Sequence, residues 1–194
     1  MQTSTRPSGH TPTLIASFLH FDVCFMLWVL LGALGSFVAD GVGLDAAQKG
    51  LMVAIPVLTG SLLRLPLGLL SDRIGGRRVG IGILLFLVLP LFMGWRLGPG
   101  VGAVYLLGAM LGVAGASFAV VLPLASRWYP PERQGLVMGI AAAGNSGTVM
   151  ANLFAPRLAL VVGWHAVFGL ASLPLLLVLL LLVLMARDSP MGGS

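Results

Sequence analysis

The sequence predicts an all-α integral membrane protein in which six transmembrane helices form one bundle. Of the 194 residues, 58% are hydrophobic and 9% are charged, whereas a soluble domain needs roughly 25% charged residues to cover its surface. Six apolar stretches reach the ~20 residues that a helix needs to cross a bilayer. Most arginines flank these stretches, as is typical of transmembrane helices. The chain is therefore expected to lie in a lipid bilayer.

The first three predicted spans lie in the N-terminal half of the chain. The first, Leu14–Val38, follows a polar tail and has no small-residue cleavage site, so we expect a retained helix and not a signal peptide. The second, Ala46–Leu70, contains Pro56 and Pro66. These prolines are expected to break it, because proline lacks the N–H of the helix ladder. The third, Val79–Trp95, ends at a tryptophan, which is typical of a membrane surface.

The last three predicted spans are Val101–Ser126, Gly135–Val161 and Trp164–Ala186. Trp128 and Tyr129 lie between the fourth and fifth spans, and the sixth span begins with a tryptophan. Tryptophan and tyrosine concentrate at the two surfaces of a membrane, because their rings are apolar at one end and polar at the other. Their positions support the boundaries of these spans.

The basic residues predict the orientation of the bundle. Connections on one side hold Arg6, Arg73, Arg77, Arg78, Arg127, Arg133 and Arg187, against Lys49, Arg96 and Arg157 on the other side. The side that is richer in arginine is expected to be cytoplasmic. The chain then consists of a cytoplasmic tail at residues 1–13, a six-helix bundle at residues 14–186 and a second cytoplasmic tail at residues 187–194.

The sequence gives little support to an enzyme, a metal protein or a nucleic-acid-binding protein. The net charge of +5 follows from arginines at the ends of spans and needs no nucleic-acid partner. Cys24 is the single cysteine, and the three histidines are scattered without metal-ligand spacing. We find no nucleophile–base pair and no phosphate-binding glycine loop. We therefore expect no catalytic residue, no metal and no cofactor.

Arg64 is a charged residue inside the second span, with leucines around it. A charge at that depth costs at least ~2.5–3.5 kcal/mol on insertion scales, so Arg64 should face a cavity and a binding partner. The planar guanidinium suits a planar oxyanion better than the ammonium of lysine does. The alternative is a structural ion pair, for example with Asp22 in the first span.

Asp22 and His20 are the other ionisable pair in a predicted span. Ionisable residues in the membrane often belong to proton relays, so both residues are candidates for proton coupling. The alternative is that Asp22 balances the charge of Arg64. If the two residues are partners, protonation of Asp22 would release Arg64 to bind an anion.

A motif of glycines, one aspartate and arginines connects the second span to the third. Its residues are Gly68, Asp72, Arg73, Gly75, Gly76, Arg77 and Arg78. The spacing resembles the signature of the major facilitator superfamily at this position, whereas an ordinary basic turn would explain only the arginines. The resemblance implies a conformational-switch motif in which Asp72 pairs with a nearby arginine. It also implies a bundle like the N-terminal six-helix half of such a transporter.

A sequence in the fifth span, Ala-Ala-Ala-Gly-Asn-Ser-Gly-Thr, contains Gly144, Asn145 and Gly147. It resembles the nitrate signature of the nitrate/nitrite porter family within that superfamily, and so does the first span from Phe18 to Gly32. The resemblance implies a substrate-binding set made of Arg64, Phe118, Gly144, Asn145 and Gly147. The alternative for the glycines and the phenylalanine is helix packing, which small residues at this spacing often serve.

The resemblance implies secondary transport of nitrate or nitrite across a bacterial inner membrane, by alternating access and in symport or exchange. Members of the family have about twelve helices in two halves, with one anion-binding arginine in each half. The resemblance also implies that residues 187–194 are the start of the central loop of a full-length transporter. The expected partners are the anion, the lipid bilayer, and a complementary C-terminal six-helix half or a second copy. A half-transporter for another small anion and a truncated, non-transporting membrane protein are the alternatives.

Overall fold

The computed structural model describes residues 9–96 and 100–189, and most of these residues are helical. The α-helices in this part of the chain are α1 (Thr11–Ala33), α2 (Gly35–Val42), α3 (Ala46–Ile74), α4 (Gly76–Arg96), α5 (Val101–Ala116), α6 (Phe118–Ser126), α7 (Pro131–Ala142), α8 (Ser146–Val162) and α9 (Trp164–Met185). A 3₁₀ turn, Ala143–Asn145, joins α7 to α8. Within the described residues, six helical stretches are long and apolar enough to cross a membrane, which confirms the predicted fold class.

Several predicted spans are divided, where the sequence predicts single helices. The first span consists of α1 and α2, and it continues to Val42, beyond the predicted end at Val38. Ser117 separates α5 from α6, and its N–H donates to the carbonyl of Ala114 (3.2 Å), three residues earlier. A bond of this 3₁₀ type tightens the helix locally. The fifth span is interrupted in the same way by the turn at residues 143–145.

The prediction that Pro56 and Pro66 break the second span is wrong, because α3 continues through both residues. Neighbouring helices stabilise a transmembrane helix where proline removes a backbone hydrogen bond. A Cβ added at Gly108 of α5 would lie 3.4 Å from the ring of Pro56, so α5 packs closely there. Trp28 of α1 donates a hydrogen bond from Nε1 to the carbonyl of Pro56 (2.9 Å). Contacts from α1 and α5 therefore support α3 at Pro56.

Both ends of α3, the helix that carries Arg64, are fixed by local structure. Asp45 and Gln48 form a capping box, in which each side chain accepts a hydrogen bond from the other residue's N–H (2.8 and 3.0 Å). At the other end, Gly75 alone separates α3 from α4. Its φ of +97° lies in a region that glycine adopts without steric cost.

The core of the bundle surrounds α1, which contacts α3 and each of the helices from α5 to α9. Leu27 and Leu31 of α1 and Phe168 of α9 are fully buried. By contrast, α3 and α8 carry exposed apolar side chains, including Leu62 (75% exposed) and Val161 (82% exposed). In a bilayer such faces contact lipid tails or another membrane domain.

Candidate functional site

The guanidinium of Arg64 lies beside two aromatic rings on α1 and α6. Its Cζ is 5.7 Å from the ring centroid of Trp28 and 5.8 Å from that of Phe118. The Nε of Arg64 donates to the carbonyl of Gly115 (3.3 Å). Among the described residues, its two terminal nitrogens have no hydrogen-bond partner. Cation–π contacts of this kind hold the cation in place and leave those nitrogens free to bind a ligand.

Arg64 opens into a cavity of about 290 Å³ that contains three of the predicted substrate residues. The cavity is lined by Phe21, Phe25, Arg64, Phe118, Ala142 and Asn145. The cationic guanidinium and the amide of Asn145 supply donors, while the other lining residues are apolar. A small cavity with aromatic walls and a few convergent donors is suited to a small anion.

Gly144 and Gly147 do not line this cavity, because they face the backbone of α1. A Cβ added at Gly144 would lie 2.6 Å from the carbonyl oxygen of Phe18. A Cβ added at Gly147 would overlap the carbonyl group of Asp22 and lie 3.0 Å from the N of Met26. The structure therefore supports the packing alternative for both glycines. Their packing brings the 3₁₀ turn, and with it Asn145, to the edge of the cavity.

The ion pair between Arg64 and Asp22 is not formed within the described residues. The carboxylate of Asp22 instead accepts a hydrogen bond from the hydroxyl of Ser146 (2.6 Å) at the start of α8. His20, two residues earlier on α1, is fully buried. Its Nε2 lies 3.1 Å from the carbonyl oxygen of Gly80 on α4, and it does not line the cavity. Of the two proposed proton-coupling residues, only Asp22 is therefore hydrogen-bonded to α8, whereas the hydrogen bond of His20 is with α4.

The predicted switch motif lies at one end of the bundle, where several connections meet. The carboxylate of Asp72 accepts a hydrogen bond from the guanidinium of Arg127 (2.6 Å), so Asp72 forms an ion pair with an arginine, while its part in a conformational switch stays a prediction. The main-chain N–H of Arg77 donates to the carboxylate of Asp188 (2.9 Å), and its guanidinium donates to the carbonyl of Val183 (2.8 Å). The turn between α3 and α4 is thus linked to α6 and to the end of α9.

The other residues of the motif have different surroundings. A Cβ at Gly68 would lie 3.5 Å from the Cβ of Ala119, so Gly68 allows α3 and α6 to approach closely. A Cβ at Gly75 would lie 2.7 Å from the carboxylate of Asp188. Arg73 and Arg78 are exposed and have no hydrogen-bond or ion-pair partner in the part of the chain that the structure describes.

Trp28 is a residue of the site that the sequence analysis did not identify. Its indole fits against Gly60 of α3, where an added Cβ would lie 3.1 Å from Nε1, and against Gly115 of α5. Its ring contacts Arg64 and also lines a second cavity of about 350 Å³, together with Pro56 and Asn152. The available signal was an indole N–H in an apolar span, because such a group needs a buried acceptor.

Solved structures share this fold. A crystal structure of a bacterial homologue of the human lysosomal transporter Spinster, in an inward-facing and unoccupied conformation, superposes with a TM-score of 0.79. It covers 95% of this chain and 44% of the other chain at 20% identity. A second structure of that homologue, in an inward-facing and occupied conformation, gives a TM-score of 0.76. At this level of identity the similarity establishes the fold alone.

Curated relatives are more similar in sequence. The probable nitrate/nitrite transporter NarK2 of Mycobacterium tuberculosis is 34% identical over 94% of this chain and 47% of its own length. The nitrite extrusion protein of Bacillus subtilis is 37% identical over 73% of this chain and 36% of its own length. The alignments thus cover less than half of the length of these relatives. Because the model of the Major Facilitator Superfamily matches residues 16–194, the chain belongs to that superfamily.

Proposed function

We propose that the chain is the N-terminal half of a secondary transporter that carries nitrate or nitrite across a bacterial inner membrane by alternating access. The observation that carries this proposal is the guanidinium of Arg64, which is held by aromatic rings in an open cavity beside Asn145. The names of the curated relatives support nitrate or nitrite as the anion.

The chemistry of the cavity fits a planar monovalent anion. Nitrate has three equivalent oxygens in one plane, and the terminal nitrogens of Arg64 donate hydrogen bonds in one plane as well. The amide of Asn145 provides a further donor to the same cavity. The rings of Phe21, Phe25 and Phe118 give the cavity apolar walls, which make electrostatic attraction to the guanidinium stronger than in bulk solvent.

A second half of the transporter is required by this proposal. The cavity around Arg64 is open on one side, and α3 and α8 carry exposed apolar side chains. Superfamily members bind substrate near the membrane midplane, between two halves that rock about the site. A complementary six-helix half, or a second copy of the chain, would close the cavity and supply a second cation.

Proton coupling would act through Asp22 and the contact between α1 and α8. Protonation turns one carboxylate oxygen of Asp22 from an acceptor into a donor, which changes its hydrogen bond with Ser146. We expect Asp22→Asn to abolish the pH dependence of nitrate uptake while uptake itself continues. Ser146→Ala, which removes only the partner, should shift the pH profile less. An unchanged pH profile in Asp22→Asn would contradict proton coupling through this residue.

The test of the proposed function is nitrate uptake into proteoliposomes, with the chain alone and with a C-terminal six-helix half of a relative added. Uptake only after the half is added supports a split transporter, and uptake by the chain alone supports a pair of identical copies. In both cases Arg64→Gln should abolish uptake. Uptake of other small anions with nitrate excluded would favour a different substrate, and no uptake under either condition would contradict the proposal.

A further inference from the structure

An open groove runs between α3 and α4, on a different part of the molecule from the anion cavity. Its volume is about 370 Å³, and all but one of its lining residues are apolar or glycine. It extends along α3 from Ile74 to Leu63 and along α4 from Arg78 to Phe86. Arg78 is the single charged residue of the lining. The groove therefore has an apolar floor and one cationic end.

The length of the groove matches the depth of one membrane leaflet. The α3 segment from Ile74 to Leu63 is about 16 Å long at 1.5 Å per residue. Half of the ~30 Å hydrocarbon core is about 15 Å. Arg78 lies in the first turn of α4, beside the connection between two spans, whereas Leu63 is adjacent to the deeply placed Arg64. With the membrane surface at the turn between α3 and α4, as the bounds of the two spans predict, the groove extends from that surface towards the middle of the span.

The arginines at the cationic end of the groove have no ion-pair partner among the described residues. Arg78, which lines the groove, and Arg73, in the last turn of α3, are exposed and have no ion-pair or hydrogen-bond partner among the described residues, whereas Arg77 and Arg127 are engaged. The main-chain N–H of Arg77, at the start of α4, is already occupied by the carboxylate of Asp188. Arg78 therefore supplies a free guanidinium at the end of the groove, and Arg73 supplies a second one on the helix that forms the other wall.

We propose that this groove binds an anionic phospholipid, with one acyl chain along α3 and α4 and the phosphate at Arg78 and Arg73. Lipid tails are as apolar as leucine, so the tail alone gives no preference for one lipid over another. The preference must come from attraction between the arginines and a headgroup with net negative charge. A zwitterionic lipid with the same acyl chains would fill the groove but would be held less strongly.

Two substitutions separate the contribution of the acyl chain to lipid binding from that of the headgroup. Gly82 lines the groove, and a Cβ added there would have no heavy atom within 4 Å. Gly82→Leu should therefore fill the groove without disturbing the packing, and Arg78→Gln should remove the charge. The matched controls are Gly102→Leu, at another glycine with open surroundings, and Arg133→Gln, at an exposed arginine outside the groove.

The experiment is native mass spectrometry of the detergent-purified chain, titrated with phosphatidylglycerol or phosphatidylcholine of identical acyl chains. We expect wild type to retain phosphatidylglycerol more strongly, and Arg78→Gln to lower that preference roughly five-fold, the effect of one basic residue. Gly82→Leu should reduce retention of both lipids. Gel filtration checks that each variant is monodisperse.

Three results would overturn the proposal. Equal retention of the two lipids by wild type would remove the role of charge. An equal loss in Arg133→Gln and Arg78→Gln would indicate a diffuse surface charge. Unchanged retention in Gly82→Leu would mean that no acyl chain occupies the groove. Because no transport is measured, these results are independent of the proposed transport function.

Discussion

At the scale of single residues, the arrangement around Arg64 depends on groups from three other helices. Trp28 belongs to α1, Gly115 to α5 and Phe118 to α6, and each contacts the guanidinium group or its Nε. These contacts offset part of the cost of placing a charge inside the membrane. They also fix the direction in which the terminal nitrogens point, which sets the geometry that a bound anion meets.

The planar fork of Arg64 can be tested separately from its charge. Arg64→Lys keeps the charge but loses the parallel donors, so we expect the KM for nitrate to rise at least about ten-fold in the assembled transporter. Arg96→Lys is the matched control, because Arg96 also lies over an aromatic ring, that of Trp95, at 4.8 Å. Uptake assays with equal KM values for wild type and Arg64→Lys would argue against bidentate anion binding.

Trp28 is expected to act by positioning Arg64. Trp28→Phe keeps an aromatic ring near the guanidinium, and Trp28→Leu removes it. A cation–π contact contributes about 0.5–2 kcal/mol, so we expect Trp28→Leu to raise the KM for nitrate about 2- to 30-fold. Trp28→Phe should restore most of this loss. If the two variants have the same KM for nitrate, the ring does not contribute. Trp95→Leu, at an exposed tryptophan, is the control.

At the scale of helices, glycines determine how closely the elements of the site approach one another. Gly147 allows α8 to lie directly on the backbone of α1, and Gly112 of α5 does the same for α3, where an added Cβ would lie 2.9 Å from the carbonyl oxygen of Pro56. Interfaces of this kind are characteristic of transmembrane helices, which associate by close packing of small residues.

Substitution of a glycine by alanine is therefore expected to have opposite effects at closely packed and at open positions. A methyl group at Gly147 would overlap α1, so Gly147→Ala should destabilise the chain by about 1–3 kcal/mol. Gly139→Ala, in an open position on α7, should stabilise it by about 0.5–1 kcal/mol, because alanine restricts the unfolded chain. Thermal unfolding in detergent measures both, and a stabilised Gly147→Ala would contradict the close contact of α1 and α8.

The number and order of the spans could be predicted from apolar length, because that pattern depends only on local composition. The continuity of α3 through Pro56 could not, since it depends on Trp28 and on glycines of α5, distant in sequence. The same holds at the site. The family resemblance identified Arg64, Phe118 and Asn145, which the structure brings together in one cavity. The hydrogen bond of Asp22 with Ser146 could not be predicted, because it depends on how α1 and α8 pack against each other.

At the scale of the whole molecule, the contact between Asp72 and Arg127 links the turn after α3 to the end of α6. Both side chains are partly exposed (56% and 38%), and an exposed ion pair contributes only about 0–1 kcal/mol. Under the proposed function, a weak contact of this kind would break and form again while the two halves of the transporter rock about their common site.

Asp72→Asn should therefore change transport more than stability. We expect the free energy of unfolding to fall by less than about 1 kcal/mol, while the rate of nitrate uptake changes because the balance between conformations changes. Asp40→Asn, at an exposed aspartate of α2, is the control. A large loss of stability with unchanged uptake would assign Asp72 a purely structural part.

The surroundings of Arg64 also have a consequence for biosynthesis. Because the chain is synthesised from its N-terminus, Trp28 is made before Arg64. Gly115 and Phe118 are made later, 51 and 54 residues after Arg64. When α3 leaves the translocon, its arginine has only one of the two rings beside it. The helix must remain near α1, or near the insertion machinery, until α5 and α6 are synthesised. A nascent chain arrested between α4 and α5 would thus expose this arginine to quality control, whereas one arrested after α6 would not.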